Sequence, residues 1–279
     1  MSLLFLNNMI SFEHSISKHL KAVMKLPLLI TIDLEEFDIP EEYNQSLDWS
    51  TKIAITNEGL ARLLPILDKY KAKATFFTTG AYAKANTEGV KKIAVKHEIA
   101  SHALNHSQFE PSDYATSKII LEKISGQKIK GFRMPRLRPV DFEVLKETGY
   151  TYDASLNPTW LPGRYNRLRS PKVPFQNKFV HIIPSSVTPL LRIPLFWLTF
   201  KNLPLWINEW LFRRVRKNGL FVFYIHPWEF ANLSRFDLPF YVKRMDGEAL
   251  ANKFDKFMAY IETNGAFVTC SEYLKTLEL

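Results

Sequence analysis

Acids, imidazoles and a guanidinium recur in this sequence at points where apolar runs stop. Leu28-Leu29-Ile30-Thr31-Ile32 ends at Asp33, with Glu35, Glu36 and Asp38 close behind. Glu98-Ile99-Ala100-Ser101 ends at His102, with His106 four residues on. Arg133 follows Gly131-Phe132, Asp153 follows Tyr150-Thr151-Tyr152, and His226 closes the run Leu220–Ile225. Two histidines at this spacing face the same way on a helical turn, and a loop can also converge them on one ion. With a carboxylate they make a borderline-hard donor set suited to zinc, and to cobalt, nickel or iron in similar geometry. Asp33 and Glu35 share a face if the strand continues past Asp33. Taken singly, each residue has a plainer reading: capping or solvated acids, ordinary histidines, a salt-bridging Arg133, a turn-forming Asp153, a core His226. Packing alone seldom places acid, histidine pair, guanidinium, acid and histidine in order at five strand ends.

The elements that must position these groups alternate along the chain. The run 28–32 fits a strand buried on both faces. Apolar residues over Asn57–Tyr70 recur at helical spacing, with Pro65 as a kink site inside. Ala74–Thr79 reads as a strand, 81–85 and 90–96 as helical, and Glu98–Ser101 as a strand again. Helices are expected near Ser112–Ser125 and Val140–Thr148, and a last long strand over Leu220–Ile225. Strand and helix in alternation give a parallel sheet or barrel, whose chemistry gathers at the carboxyl ends of its strands.

Composition narrows the class. With 279 residues, 46% hydrophobic and 14% aromatic, the chain has material for one large core. The net charge of +9 permits contact with nucleic acid or an anionic membrane. No recognition motif or long basic run accompanies the charge, so no nucleic-acid partner is expected. The single cysteine, Cys270, excludes an internal disulfide framework. It is expected to be a packing residue in the last strand. Residues 1–23 lack the basic start and cleavage site of a signal peptide and are too short for a membrane span. They are expected to be a disordered or upstream-translated extension, with Met24 as the working start and 24–279 as one catalytic domain. The expected location is the cytoplasm or the cytoplasmic face of the membrane.

Together these motifs resemble the polysaccharide deacetylase family (carbohydrate esterase family 4, the NodB-homology domain). The resemblance rests on Thr31–Glu36, Ser101–His106, Phe132–Pro135, Tyr152–Ser155 and Tyr224–Pro227, with Ala74–Gly80 and Gly265–Leu274 in support. It implies an α/β fold, a distorted (β/α) barrel of about seven repeats with a groove across its strand ends. It further implies Asp33 as catalytic base, Glu35, His102 and His106 as metal ligands, and Arg133 as the residue that orients the base. His226 matches the general acid and Asp153 its tuning partner. Tyr152, Trp160 and Trp228 are the aromatic candidates for holding a sugar ring.

The expected reaction is hydrolysis of an N-acyl group, by preference N-acetyl, from a hexosamine in a polysaccharide or lipid-linked glycan. An amide has a poor electrophile and a poor leaving group, and a divalent ion, most simply Zn2+ (or Co2+, Ni2+, Fe2+), relieves both by polarising the carbonyl and a water. The alternatives are a deformylase or other linear-amide hydrolase on the same barrel, and a carbohydrate-binding relative without turnover. Three departures from the family pattern stand out. The first motif reads Asp-Leu-Glu-Glu, the variant with an acid two residues after the base, which leaves Glu35 and Glu36 as rival ligands. Ala103 replaces the usual Ser or Thr after His102, and no Gly follows Pro135.

Between the fourth and fifth motifs lies a segment rich in Pro, aromatics and Arg. Charges and prolines keep Pro189–Phe212 from reading as a transmembrane helix. It is expected to pack on the barrel; the alternative is peripheral membrane contact through 189–217, suited to a lipid-linked substrate.

Overall fold

The structure is a computed structural model and describes residues 25–277. The expectations for residues 1–23 fall outside that range. Its strands are β1 (Leu26–Leu34), β2 (Ala74–Thr78), β3 (Glu98–Ser101), β4 (Gly131–Phe132), β5 (Tyr152–Asp153), β6 (Trp160–Leu161), β7 (Tyr165–Asn166), β8 (Phe175–Gln176), β9 (His181–Ile182), β10 (Phe221–Ile225) and β11 (Gly265–Phe267). The helices are α1 (Trp49–Lys69), α2 (Gly80–Ala85), α3 (Thr87–Ala94), α4 (Asp113–Ser125), α5 (Phe142–Glu147), α6 (Trp197–Asn202), α7 (Leu205–Val215), α8 (Phe240–Lys243), α9 (Gly247–Glu262) and α10 (Cys270–Lys275). Seven strands run parallel in the order β10-β1-β2-β3-β4-β5-β9. β8 joins that edge antiparallel, and β11 pairs with the start of β1. The result is the distorted, incompletely closed barrel of about seven repeats that the sequence implies.

Alternation along β1 explains why this strand anchors the fold. Leu28, Ile30 and Ile32 pack outward with Leu60 and Leu63 of α1 and Phe254 and Phe257 of α9. Leu29 points the other way and fills the barrel with Phe77, Ala100, Tyr152, Ile183 and Val222. The same period of two carries Thr31 and Asp33 inward at the carboxyl end of the strand.

α1 begins earlier than its apolar spacing suggests. It starts at Trp49, where Asp48 caps it, its carboxylate accepting the Thr51 amide at 2.8 Å. Pro65 does not end the helix, which runs through it to Lys69. Near its middle, α1 lies directly on the loop after β10: a Cβ built on Gly59 would meet the Pro227 carbonyl oxygen at 1.8 Å. That loop carries His226. Gly59→Ala is therefore expected to cost about 1–3 kcal/mol or more by overpacking. A thermal melt that left the variant at the wild-type transition would refute this close approach.

Cys270 is a packing residue, but it opens α10 rather than lying in a strand. Thr269 and Glu272 exchange side-chain-to-amide hydrogen bonds of 3.1 and 3.0 Å, a reciprocal cap that starts the helix at this point. Burial first, and then the charge of Glu98, pushes the thiol up to about 12. It is inert at neutral pH.

Candidate active site

Where β1 ends, Asp33 and Glu35 reach the floor of a groove of about 310 Å³. Glu35 stays on the side of Asp33 although β1 has stopped at Leu34. His102 and His106 come from the loop after β3. The ligand-type atoms of Glu35, His102 and His106 all lie within 4.8 Å of one another. Glu35 Oε2 is 3.1 Å from His102 Nε2 and 3.2 Å from His106 Nε2. Each histidine is aimed by its other ring nitrogen: Nδ1 of His102 donates to the Arg133 carbonyl at 2.8 Å, and Nδ1 of His106 to Asp38 Oδ1 at 2.7 Å. Trp228 Nε1 donates to Glu35 Oε1 at 3.1 Å, leaving Oε2 for the histidines. Two imidazole Nε2 atoms and one carboxylate oxygen, buried, convergent and held from behind, fit a divalent ion.

Glu36 does not compete for that role. Its two oxygens are taken by the His106 amide at 2.8 Å and the Thr79 hydroxyl at 2.7 Å. It braces the His102–His106 loop, a task the missing hydroxyl at position 103 would have shared. Helix α2 braces the same loop, with the Gly80 and Ala81 amides donating to the Ala103 and Leu104 carbonyls at 3.0 and 2.8 Å. Burial raises the Glu36 pKa despite these bonds.

Asp33 is held by Arg133. Nη1 of the fully buried guanidinium lies 2.5 Å from Asp33 Oδ1, Nη2 donates to Thr31 Oγ1 at 3.0 Å, and Nε donates to the Ala154 carbonyl at 3.0 Å. The plane is sandwiched by Phe77 and Tyr224, 4.1 and 5.3 Å from the ring centroids. Burial alone would raise the Asp33 pKa, but Arg133, then His102 and His226, outweigh it and hold the carboxyl below its usual range. Oδ1 is committed to Arg133, so Oδ2 is the oxygen turned to the groove, 3.8 Å from His226 Nε2.

The partner of His226 is Glu229, not Asp153. Glu229 Oε1 accepts from His226 Nδ1 at 3.0 Å and from its backbone amide at 2.8 Å. Behind it, Lys201 of α6 brings Nζ to 3.6 Å from Glu229 Oε2, both groups fully buried. Burial would lower the His226 pKa, but the hydrogen bond to Glu229 and the charges of Glu35, Glu229 and Asp33 raise it. Asp153 is instead spent on Ser155, whose hydroxyl and amide donate to it at 2.5 and 3.1 Å. Burial pushes its pKa up to about 6. β5 points Tyr152 and Ala154 into the barrel, so Asp153 faces outward, away from His226.

The aromatic candidates divide three ways. Trp228 lines the groove and stacks on His226 at 4.9 Å. Tyr152 is buried in the barrel, its hydroxyl donating to Glu98 Oε1 at 2.9 Å at the amino end of β3, far from the groove. Trp160 is 59% exposed and stands outside the groove, whose wall takes Leu161 and Tyr165 of the same hairpin. Sequence reading did not assign Asp38, Glu229, Lys201, Phe196 or Trp197. Glu229 had a signal in the spacing His226-Pro-Trp-Glu229, and Asp38 stood in the first acidic cluster. Lys201 had none, since only tertiary packing brings it to Glu229. Replacing Asp38 with Ala is expected to weaken metal binding about 10–100-fold by freeing the His106 ring. A zinc titration with unchanged affinity would show that Asp38 does not aim that ligand.

Residues 48–152 match the family model for polysaccharide deacetylase, a window that contains His102, His106 and Arg133. This stretch is similar to the polysaccharide deacetylases. Asp33, Glu35 and His226 lie outside that window, and the fold carries the likeness across the rest of the chain. A protein of Mycobacterium smegmatis assigned to the polysaccharide deacetylases superposes with a TM-score of 0.63, at 19% identity over 91% of this chain and 92% of its own. An allantoinase superposes with a TM-score of 0.61, at 13% identity over 90% of each chain. At such identities these likenesses establish the barrel. An uncharacterized Bacillus subtilis (strain 168) protein, YlxY, is 35% identical over 111 residues, and the match spans 34% of its length. Members of the deacetylase family are mostly metal-dependent, and the Glu35-His102-His106 cluster could hold such an ion here.

Proposed function

We propose that this protein hydrolyses the N-acyl group, by preference N-acetyl, of a hexosamine in a polysaccharide or lipid-linked glycan. The observation that carries the reading is the juxtaposition, on one groove floor, of the Glu35-His102-His106 cluster with Asp33 and His226. Glu35, His102 and His106 would hold a divalent ion, whose contribution when bound would be Lewis-acid polarisation of the acyl carbonyl and of the attacking water. Asp33 Oδ2 takes the proton of that water, as a carboxylate kept ionised and aimed by Arg133. His226 Nε2, kept protonated by Glu229, gives a proton to the departing nitrogen. The groove wall adds Tyr165, Phe196, Trp197 and Tyr224, flat faces of the kind on which a pyranose ring stacks.

Incubating the zinc- or cobalt-loaded protein with N-acetylglucosamine oligomers should yield products with free amines, each lighter by one acetyl group by mass spectrometry. Release from formamido sugars or small linear amides alone would favour the deformylase or linear-amide reading. Tight binding of acetylated oligomers with no product under any metal would favour a non-catalytic carbohydrate binder.

A further inference from the structure

Residues 154–208 contain no Asp or Glu, yet they carry Arg164, Arg167, Arg169, Lys172, Lys178, Arg192 and Lys201. Lys201 is buried under the active site, and Arg164 pairs with Glu42. Among the described residues the others form no ion pair with a carboxylate. Arg167 donates to the Ser155 and Leu137 carbonyls, Lys172 to Pro189, and Arg192 to Pro158 and Ser170. Arg169 and Lys178 are exposed.

The same segment displays its large apolar side chains. Leu190 is 92% exposed and Leu191 77%, at the tip of a turn closed by the Val187–Pro194 bridge and the Thr188–Ile193 and Thr188–Arg192 backbone bonds. Trp160, Leu168 and Val173 are exposed as well. Hydrogen bonds bring together the stretches that carry these five. Thr159, beside Trp160, donates to the carbonyl of Arg192, beside Leu191. The amide of Arg167, beside Leu168, donates to the Thr159 carbonyl at 2.9 Å. Lys172, beside Val173, donates to Pro189, beside Leu190. Single exposed leucines are ordinary on soluble proteins. A clamped leucine pair joined to a tryptophan, within an acid-free basic segment, is not.

We propose that this face docks on an anionic lipid bilayer. Leu190, Leu191 and Trp160 enter the boundary between headgroups and acyl chains, and the surrounding basic residues meet the phosphates. Tryptophan suits that boundary, with an apolar body and one polar edge. No described helix is long and apolar enough to cross a membrane. The hairpin that carries Trp160 also lends Leu161, Arg164 and Tyr165 to the groove wall, so docking brings the groove mouth to the membrane surface. The corollary that the substrate is a membrane-held saccharide rests on the deacylase reading; the docking itself does not.

The test is co-sedimentation of the full chain with vesicles of phosphatidylglycerol and phosphatidylcholine in equal parts, against phosphatidylcholine alone. Wild type should partition to the mixed vesicles in a salt-sensitive manner. Leu190→Asp/Leu191→Asp should lower that partition about 10-fold or more, and Arg169→Glu should lower it and flatten its salt dependence. All three positions are exposed and outside the groove, so melting temperature and hydrolysis of a soluble acetylated oligomer should not change. Absence of binding to mixed vesicles, or unaltered binding by the leucine variant, would overturn the proposal. So would self-association abolished by the same substitutions, which would make the face an interface between copies. If every form binds as expected but none releases acetate, docking stands and the deacylase reading falls.

Discussion

Asp33→Asn should lower kcat by about 10²–10⁴-fold, the usual contribution of a positioned base, while metal stoichiometry stays at the wild-type level. Asn keeps the shape and can still accept from Arg133, but it cannot take a proton from water. It does not touch the Glu35-His102-His106 cluster, so loss of turnover with retained metal separates the base from the ligands. The substitution also leaves the buried Arg133 charge without its counterion, and breaking such a pair typically costs about 3–5 kcal/mol. Turnover is therefore compared below the variant's own melting transition. An Asp33→Asn protein with near wild-type kcat would show that another group takes the proton.

Glu229→Gln should narrow the activity profile from the alkaline side. Glu229 raises the His226 pKa through its hydrogen bond and its charge. Activity needs the imidazolium, so it is present below that pKa and lost as pH rises through it. Gln removes the charge, the His226 pKa falls, and the alkaline limb moves to lower pH. kcat/KM should drop about 10-fold or more at alkaline pH and much less toward acid pH. The acid limb is set by Asp33, whose lowered pKa keeps it ionised well below neutrality, and it should stay in place. Asp153→Asn is the control: its carboxylate bonds Ser155 rather than His226, so the alkaline limb should not move. A shift in the Asp153 variant and none in the Glu229 variant would restore the assignment that the motif order implied.

Strands buried on both faces and helices with an apolar stripe leave period signatures, so the sequence carried a parallel sheet or barrel, and the motif resemblance narrowed it to a distorted barrel. Leu28–Asp33 shows this most clearly, since the parity that buries Leu29 also turns Asp33 to the groove. Residues at strand ends were legible for the same reason. Tyr152 and Asp153 were both read as site residues because a two-residue strand gives no alternation to read; Tyr152 reaches Glu98 inside the barrel and Asp153 bonds Ser155. Trp160 lies in the insert, where the fold owes nothing to the strand–helix period. Glu36 looked like a rival ligand until the Thr79 hydroxyl and the His106 amide claimed it, and both come from other elements. Lys201 lies 28 residues before Glu229 on a different helix, and only the folded chain makes them neighbours.

The central claim is that one buried Glu-His-His cluster makes this groove hydrolytic. The most direct test is the metal content of the purified protein, measured together with acetate release from N-acetylglucosamine oligomers, for wild type and His102→Ala. Bound metal with acetate release in wild type, both lost in the variant, is the predicted result. A protein that binds no divalent ion under any loading condition, or a His102→Ala variant that still binds metal and turns over normally, would contradict it.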